Sequence, residues 1–134
     1  MVKNEIKYAC LFGGGAIRGF AHIGAIKAFD ELGVKMGTLA GSSVGAIIAS
    51  ALAVGYSYQE IENIFLNINF ELFKDIDFSK TVALSKGNVF LDKMREIIES
   101  KFYGENYEKG KNPPVKFKDL DKNLVIITTD IKIM

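Results

Sequence analysis

Residues 36–49 read Met-Gly-Thr-Leu-Ala-Gly-Ser-Ser-Val-Gly-Ala-Ile-Ile-Ala, and this stretch decides the fold of the chain. Residues 36–40 predict a short strand, and residues 44–54 predict a helix whose small and apolar side chains can lie close against a sheet. Gly55 is placed to end that helix. A strand that passes directly into an apolar helix indicates an α/β fold.

The turn between this strand and this helix, Gly41-Ser42-Ser43-Val44-Gly45, fits the pattern Gly-x-Ser-x-Gly. In that pattern a serine sits on a sharp turn with its hydroxyl pushed out of the sheet, and the spacing selects Ser43 rather than Ser42. Gly41 and Gly45 are required because side chains at those positions would collide with the neighbouring strand and helix. An ordinary strand-to-helix turn is the alternative interpretation of the same residues.

A glycine-rich loop, Gly13-Gly14-Gly15, follows a predicted buried strand at residues 6–12 and precedes a predicted helix at residues 17–32. We expect that helix to bury Ile17, Phe20, Ala21, Gly24, Ala28 and Leu32. Backbone N–H groups of bare glycines can approach a developing oxyanion closely. Two consecutive strand, glycine loop and helix units would therefore bring N–H donors and the Ser43 hydroxyl to the same end of a parallel sheet.

Residues 13–24 and 40–46 together resemble the patatin-like phospholipases, which are serine acyl hydrolases with a Ser-Asp dyad. The resemblance implies a three-layer α/β/α fold with a mainly parallel central sheet. It also implies that Ser43 is the nucleophile and that Gly13, Gly14 and Gly15 form the oxyanion hole. It covers nearly the whole chain, and it implies one partial domain over residues 1–134, the N-terminal part of the family's domain.

The chain departs from the family at the acid of the dyad. The family's aspartate belongs to an Asp-Gly-Gly or Asp-Gly-Ala motif, and none of the seven aspartates is followed by glycine. Asp130, after the predicted strand at residues 124–129, is the one candidate base within the chain, although a structural role at the strand end is the preferred interpretation. The loop also has Gly-x-Gly-x-x-x-Gly spacing instead of Gly-x-Gly-x-x-Gly, which leaves open which amide faces the oxyanion.

Two charged or titratable residues near the glycines have alternative interpretations. Arg18 lies in the first turn of the predicted helix, where a positive charge opposes the helix dipole. It either braces the loop or meets an anionic head group, or it is a surface residue paired with an acid. His22 is the sole histidine and is interpreted as a helix-packing residue, so a Ser-His-Asp triad is not supported.

The same loop could instead be a dinucleotide-binding fingerprint, because glycines between a strand and a helix also hold phosphates. That fingerprint needs an acidic residue at the end of the second strand, where this chain has Ser42 and Ser43. One cysteine, Cys10, and one histidine cannot form a metal cluster, so we expect no metal and no other cofactor. The net charge of +1 with dispersed basic residues argues against nucleic acid as a partner.

The remaining elements are predicted from capping and periodicity. Ser57 and Glu60 form a capping box that opens a helix with an apolar face, residues 89–102 predict a further helix, and residues 103–121 are linker-like. Residues 124–127 predict a central parallel strand that needs cover on both faces. Because little chain follows that strand, we expect self-association through the incomplete sheet or instability.

The expected substrate is a phospholipid or another acyl ester. Residues 68–78 are interpreted as a loop or lid, with transient membrane contact as a minority view. No apolar run reaches membrane-spanning length and no signal peptide is evident, which makes the cytoplasm the default location. The alternative function is a catalytically inactive module that keeps the fold to bind lipid or a protein partner.

Overall fold

The computed structural model describes residues 6–67 and 84–129. Among these residues, the sheet consists of three parallel strands, β1 (Lys7–Phe12), β2 (Lys35–Ser42) and β3 (Asn123–Ile127), in the order β1-β2-β3. Parallel neighbours require crossover connections, and helices supply them. The α/β class with a parallel sheet is therefore confirmed.

Within residues 6–67 and 84–129, four helices lie close to the positions that the sequence predicts. They are α1 (Phe20–Glu31), α2 (Val44–Ala53), α3 (Tyr58–Asn67) and α4 (Leu84–Tyr103). A 3-10 turn at Ala16–Gly19 precedes α1, and two more at Gly104–Asn106 and Phe117–Asp119 lie between α4 and β3. The loop or lid predicted at residues 68–78 lies outside the described residues.

Helix α2 is the centre of the core. Ile48 and Ala49 have no exposed surface, and they belong to one apolar cluster with Phe12 and Leu39 of the sheet. The small residues of α2 let its backbone approach the strands. Gly55 adopts φ +97° and donates its N–H to the carbonyl of Leu52 at 3.2 Å, which confirms the predicted end of this helix.

The helices that the structure describes pack on one face of the sheet. Right-handed crossovers that move across a sheet in one direction place their helices on the same side. The in-register row Cys10, Leu39 and Leu124 faces these helices and packs in the core. The other face of the sheet carries Leu11 and Val125, which are 77% and 46% exposed. Ile127, on the same face and two residues after Val125, is 56% exposed. An apolar sheet face is thus uncovered by the described residues.

Among the described residues β2 pairs with both β1 and β3, and β3 pairs with β2, so the expectation that residues 124–127 form a central strand stays a prediction. A prediction about the packing of α1 was wrong. In α1 the buried side chains are Ile23 and Ile26, whereas Ile17 and Leu32 are 67% and 77% exposed. Residues 16–19 form a 3-10 turn, which changes the rotational register of the apolar positions along the segment.

Helices α3 and α4 are fixed by specific contacts. The capping box is confirmed, since the Ser57 N–H donates to Glu60 Oε2 at 2.8 Å and the Glu60 N–H donates to Ser57 Oγ at 3.3 Å. Lys101 of α4 donates to Glu60 Oε1 at 2.6 Å, and the Tyr56 hydroxyl donates to the Ile97 carbonyl at 2.8 Å. These contacts join α4 to the α2–α3 connection. No helix within the described ranges is long and apolar enough to cross a bilayer.

Candidate active site

Ser43 lies between the end of β2 and the start of α2, on the sharp turn that the sequence predicts. Its backbone has φ 52° and ψ −128°, and its side chain is exposed. The Ser43 carbonyl accepts the N–H of Ala46 at 2.9 Å and of Ile47 at 3.3 Å, so the helix begins immediately after the serine. A non-glycine residue at positive φ costs of order 1–3 kcal/mol and concentrates at functional sites. In this conformation Ser43 stays exposed at the turn.

The two glycines around Ser43 are required by close backbone contacts. A Cβ atom on Gly41 would collide with the carbonyl of Gly45, and a Cβ atom on Gly45 would collide with the carbonyl of Phe12. These neighbours are backbone atoms, which cannot rotate away as a side-chain end can. Glycine at both positions therefore lets α2 begin directly against the ends of β1 and β2.

The glycine loop packs against the serine turn. A Cβ atom on Gly14 would lie 3.2 Å from Ser43 Cβ, and Gly13 and Gly14 are exposed. Behind the loop, a Cβ atom on Gly19 would lie 2.5 Å from Val44 Cγ2, so the turn after the loop abuts the first residue of α2. The structure brings the loop and Ser43 together at the C-terminal end of the sheet, as expected from sequence.

The left-handed residue of the loop is Ala16, with φ 49°, rather than one of the three glycines before it. Among the described glycines, those with φ in the left-handed range are Gly33, Gly55, Gly104 and Gly110. In this loop, the absence of a side chain matters at Gly14 because of its close approach to Ser43.

His22 holds the glycine loop, a contact that the sequence interpretation missed. Its Nε2 lies 2.9 Å from the carbonyl oxygen of Gly13, and its ring packs edge-on against Phe12 at 5.5 Å. A carbonyl oxygen only accepts, so Nε2 carries the proton and donates it. In a trans peptide the C=O and the following N–H point in opposite directions. The Gly14 N–H is thereby directed away from His22.

A sequence signal for this contact existed. Side chains in a helix lean toward its N-terminus, and His22 lies in the first turn of α1. A donor at that position can reach back to the loop that precedes the helix. The spacing alone could not show which carbonyl it would meet.

Arg18 lies in the 3-10 turn, and its side chain is exposed. A Cβ atom on Gly15 would lie 3.3 Å from Arg18 Cβ, so the arginine packs beside the loop. Within the part of the chain that the structure describes, no acidic side chain forms an ion pair with it. The alternative in which Arg18 is paired with an acid is thus not observed among these residues.

Residues 6–67 and 84–129 place no side chain in hydrogen-bonding contact with the Ser43 hydroxyl, and they contain no group of three metal-ligating side chains. Asp130 lies outside the described residues. Cys10 of β1 is half-buried, and burial raises the pKa of its thiol. That shift disfavours the reactive thiolate form of Cys10.

The sequence of this chain is similar to those of known proteins. The family model for patatin-like phospholipases matches residues 11–132. An uncharacterized protein of Acanthamoeba polyphaga mimivirus is 36% identical over 136 residues, which cover 96% of this chain and 43% of that protein. A lysophospholipase of Emericella nidulans is 44% identical over 43 residues, or 32% of this chain and 3% of that enzyme. An uncharacterized NTE family protein of Mycobacterium bovis is 43% identical over 53 residues, or 40% of this chain and 15% of that protein.

The chain spans less than half the length of each of these relatives. The family match nevertheless covers most of its residues and includes the glycine loop, the serine turn and all of β2 and β3. By this match, the chain belongs to the patatin-like phospholipase family, a family of lipid hydrolases.

Proposed function

We propose that this protein is a lipid acyl hydrolase in which Ser43 is the nucleophile. The observation that carries the proposal is the strained backbone of Ser43, which exposes the hydroxyl directly before the N-terminus of α2. The helix dipole at that end favours negative charge developing on the serine oxygen. Ser43 Oγ would attack the ester carbonyl carbon while its proton passes to a base. The alcohol would then leave with that proton, and water would hydrolyse the acyl-serine.

We assign the oxyanion hole to amides of Gly13, Gly14 and Gly15, with the Gly14 N–H as the principal donor. Two contacts support this choice: Gly14 lies against Ser43, and His22 fixes the peptide that carries the Gly14 N–H. A donor held in place before reaction avoids the reorganisation that water would need. His22 is therefore proposed as a positioning residue and not as the base.

The base is proposed to be a carboxylate outside the described residues, by analogy with the family's Ser-Asp dyad. A serine hydroxyl is a weak nucleophile until a positioned base takes its proton. Because no described side chain contacts the Ser43 hydroxyl, complete turnover depends on a carboxylate that comes to Ser43 from elsewhere. Asp130 remains a candidate for that role, although a structural role is preferred.

The substrate is proposed to be a phospholipid or a simpler acyl ester. The family and the lysophospholipase relative support a lipid ester. Arg18, exposed beside the glycine loop, would meet an anionic phosphate, since a guanidinium binds phosphate oxygens in pairs. A transient contact with a membrane through residues 68–78 stays a prediction.

The test is hydrolysis of a short chromogenic ester by the purified chain, beside Ser43→Ala, Ser42→Ala and Asp130→Asn. Turnover should disappear in Ser43→Ala and persist in Ser42→Ala, which is the matched control one residue away. Loss of turnover in Asp130→Asn would identify Asp130 as the base. Equal activity of Ser43→Ala and the parent chain would refute the proposal.

His22→Phe tests the positioning role, since phenylalanine keeps the ring against Phe12 and removes the donor. The expected fall in kcat is at most about 100-fold to 1000-fold, the range for complete loss of an oxyanion donor, with KM little changed. An unchanged kcat in a folded His22→Phe protein would contradict the role of His22.

The second candidate is a non-catalytic module that binds lipid or a protein partner. It is favoured by the absence of any described acid at the Ser43 hydroxyl. Binding of phospholipid vesicles that survives Ser43→Ala, together with no ester turnover by the folded parent chain, would support this function over catalysis.

A further inference from the structure

We propose that Gly19 and Val44 act together as a spacer that sets the distance between the glycine loop and Ser43. The spacer is the contact between the Gly19 backbone and the Val44 side chain, and both are positioning residues. Its catalytic consequence rests on the proposed function of Ser43, whereas the spacing itself does not.

The contact leaves no room for a side chain on residue 19. A Cβ atom on Gly19 would lie 2.5 Å from Val44 Cγ2, 3.1 Å from Val44 Cγ1 and 3.4 Å from Val44 Cβ. Gly19 is buried at the end of the 3-10 turn that follows the loop, and its φ of −55° and ψ of −24° suit any residue. Space, and not backbone conformation, therefore requires glycine at this position.

Val44 is held too firmly to move aside for a larger residue. It is 5% exposed and belongs to the apolar core cluster. A valine in a helix has one strongly preferred rotamer, so its methyl groups cannot swing away cheaply. Val44 also follows Ser43 directly, which links the position of its side chain to that of the nucleophile.

The glycine loop is the side of the contact that can yield. Gly13, Gly14 and residues 16–18 are exposed, and His22 holds the loop at the Gly13 carbonyl. Ala16 keeps a φ of 49°, a strained value that persists only where the surrounding structure enforces it. A methyl group on residue 19 would therefore displace the loop, and the Gly14 N–H with it, relative to Ser43.

This displacement should slow the reaction without weakening substrate binding. Carbon atoms pack at about 3.5–4.0 Å, so relief of the 2.5 Å contact requires a shift of about 1 Å. A misplacement of that size can cost about 100-fold in rate. The kcat of Gly19→Ala should fall by up to about 100-fold with KM little changed, because an oxyanion donor acts in the transition state.

The test is a double-mutant cycle in ester hydrolysis with Gly19→Ala, Val44→Ala and the variant that carries both changes. Val44→Ala removes both Cγ atoms and leaves the Val44 Cβ at 3.4 Å from a Cβ on residue 19, so the double variant should regain most of the lost kcat. A merely structural role predicts the opposite, because the double variant also loses core methyl groups. Gly24→Ala, at a position of α1 with open space, is the matched control and should turn over as the parent does.

The amide chemical shift of Gly14 gives a second readout that needs no turnover. It should move in Gly19→Ala, return toward the parent value in the double variant and stay unchanged in Gly24→Ala. An unmoved Gly14 resonance or an unchanged kcat in folded Gly19→Ala would overturn the proposal, as would unfolding of both the single and the double variant. A parent chain without turnover that still shows these shifts would refute the proposed function and support the spacer.

Discussion

Replacement of Ser43 by glycine should stabilise the protein while removing its proposed nucleophile. Ser43 has φ 52° and ψ −128°, a conformation that costs a non-glycine residue about 1–3 kcal/mol and costs glycine little. Glycine also lowers the free energy of unfolding by about 0.4–1 kcal/mol, because it gives the unfolded chain more conformational freedom. Ser43 is exposed and its hydroxyl has no described hydrogen bond, so little contact energy is lost. The net gain in the free energy of unfolding is about 1 kcal/mol, and the expected rise in Tm is about 4 °C.

The assay is thermal unfolding of three variants by circular dichroism and calorimetry. Ser43→Ala keeps a Cβ atom and therefore the strain, so its Tm should equal that of the parent. Ser42→Gly is the matched control, because Ser42 ends a regular strand and glycine there should lower stability by about 0.5–1 kcal/mol. The strain argument is wrong if Ser43→Gly lowers Tm as Ser42→Gly does, or if Ser43→Ala and Ser43→Gly behave alike.

Three further predictions concern packing, acid stability and association. Gly45→Ala should lower the free energy of unfolding by roughly 1–3 kcal/mol, because the added methyl group would collide with the Phe12 carbonyl. Gly24→Ala should raise the free energy of unfolding by about 0.5–1 kcal/mol, since that position in α1 has open space around it. Denaturant titrations of the two variants and the parent chain measure both changes. Hydrogen bonds from Lys101 and from the Ser57 N–H lower the pKa of Glu60, so its contribution to stability is present above about pH 4.3 and is lost as pH falls through the lowered value. Unfolding measured between pH 6 and pH 2 should show a weaker acid dependence in Glu60→Gln than in the parent; parallel curves would argue against this. Finally, we propose that a second copy of the chain covers the open sheet face, which contains the exposed Leu11 and Val125. The double variant Leu11→Lys with Val125→Lys should then have a lower mass in sedimentation than the parent chain. A parent chain that is monomeric at all concentrations would contradict this proposal.

The parts of the site that sequence predicted are those set by local geometry. The spacing of Gly41, Ser43 and Gly45 specifies a turn that only glycines allow at its flanks, and the structure provides the clashing carbonyls. The capping box of Ser57 and Glu60 and the stop at Gly55 are equally local, since each depends on a hydrogen bond between residues close in the chain. Such features can be read from a few consecutive residues.

The exposed and buried faces of α1 could not be read in this way. Apolar residues occur around more than one side of the segment 17–32, and periodicity does not say which side meets the sheet. Ile23 and Ile26 are buried because the 3-10 turn at Ala16–Gly19 sets the direction in which α1 leaves the loop. The strand order β1-β2-β3 of the described sheet has the same origin, since it depends on pairing between residues far apart in the chain.

By itself, the sequence determined the α/β class, the family and the serine turn, because these rest on short-range patterns of glycine, hydroxyl and apolar residues. Tertiary structure alone decided that His22 donates a hydrogen bond to the Gly13 carbonyl. It also decided that one apolar face of the sheet is left uncovered by the described residues. The physical reason is that a contact between distant residues depends on how whole helices and strands are placed, and that placement is fixed only when the complete set of packing interactions is satisfied together.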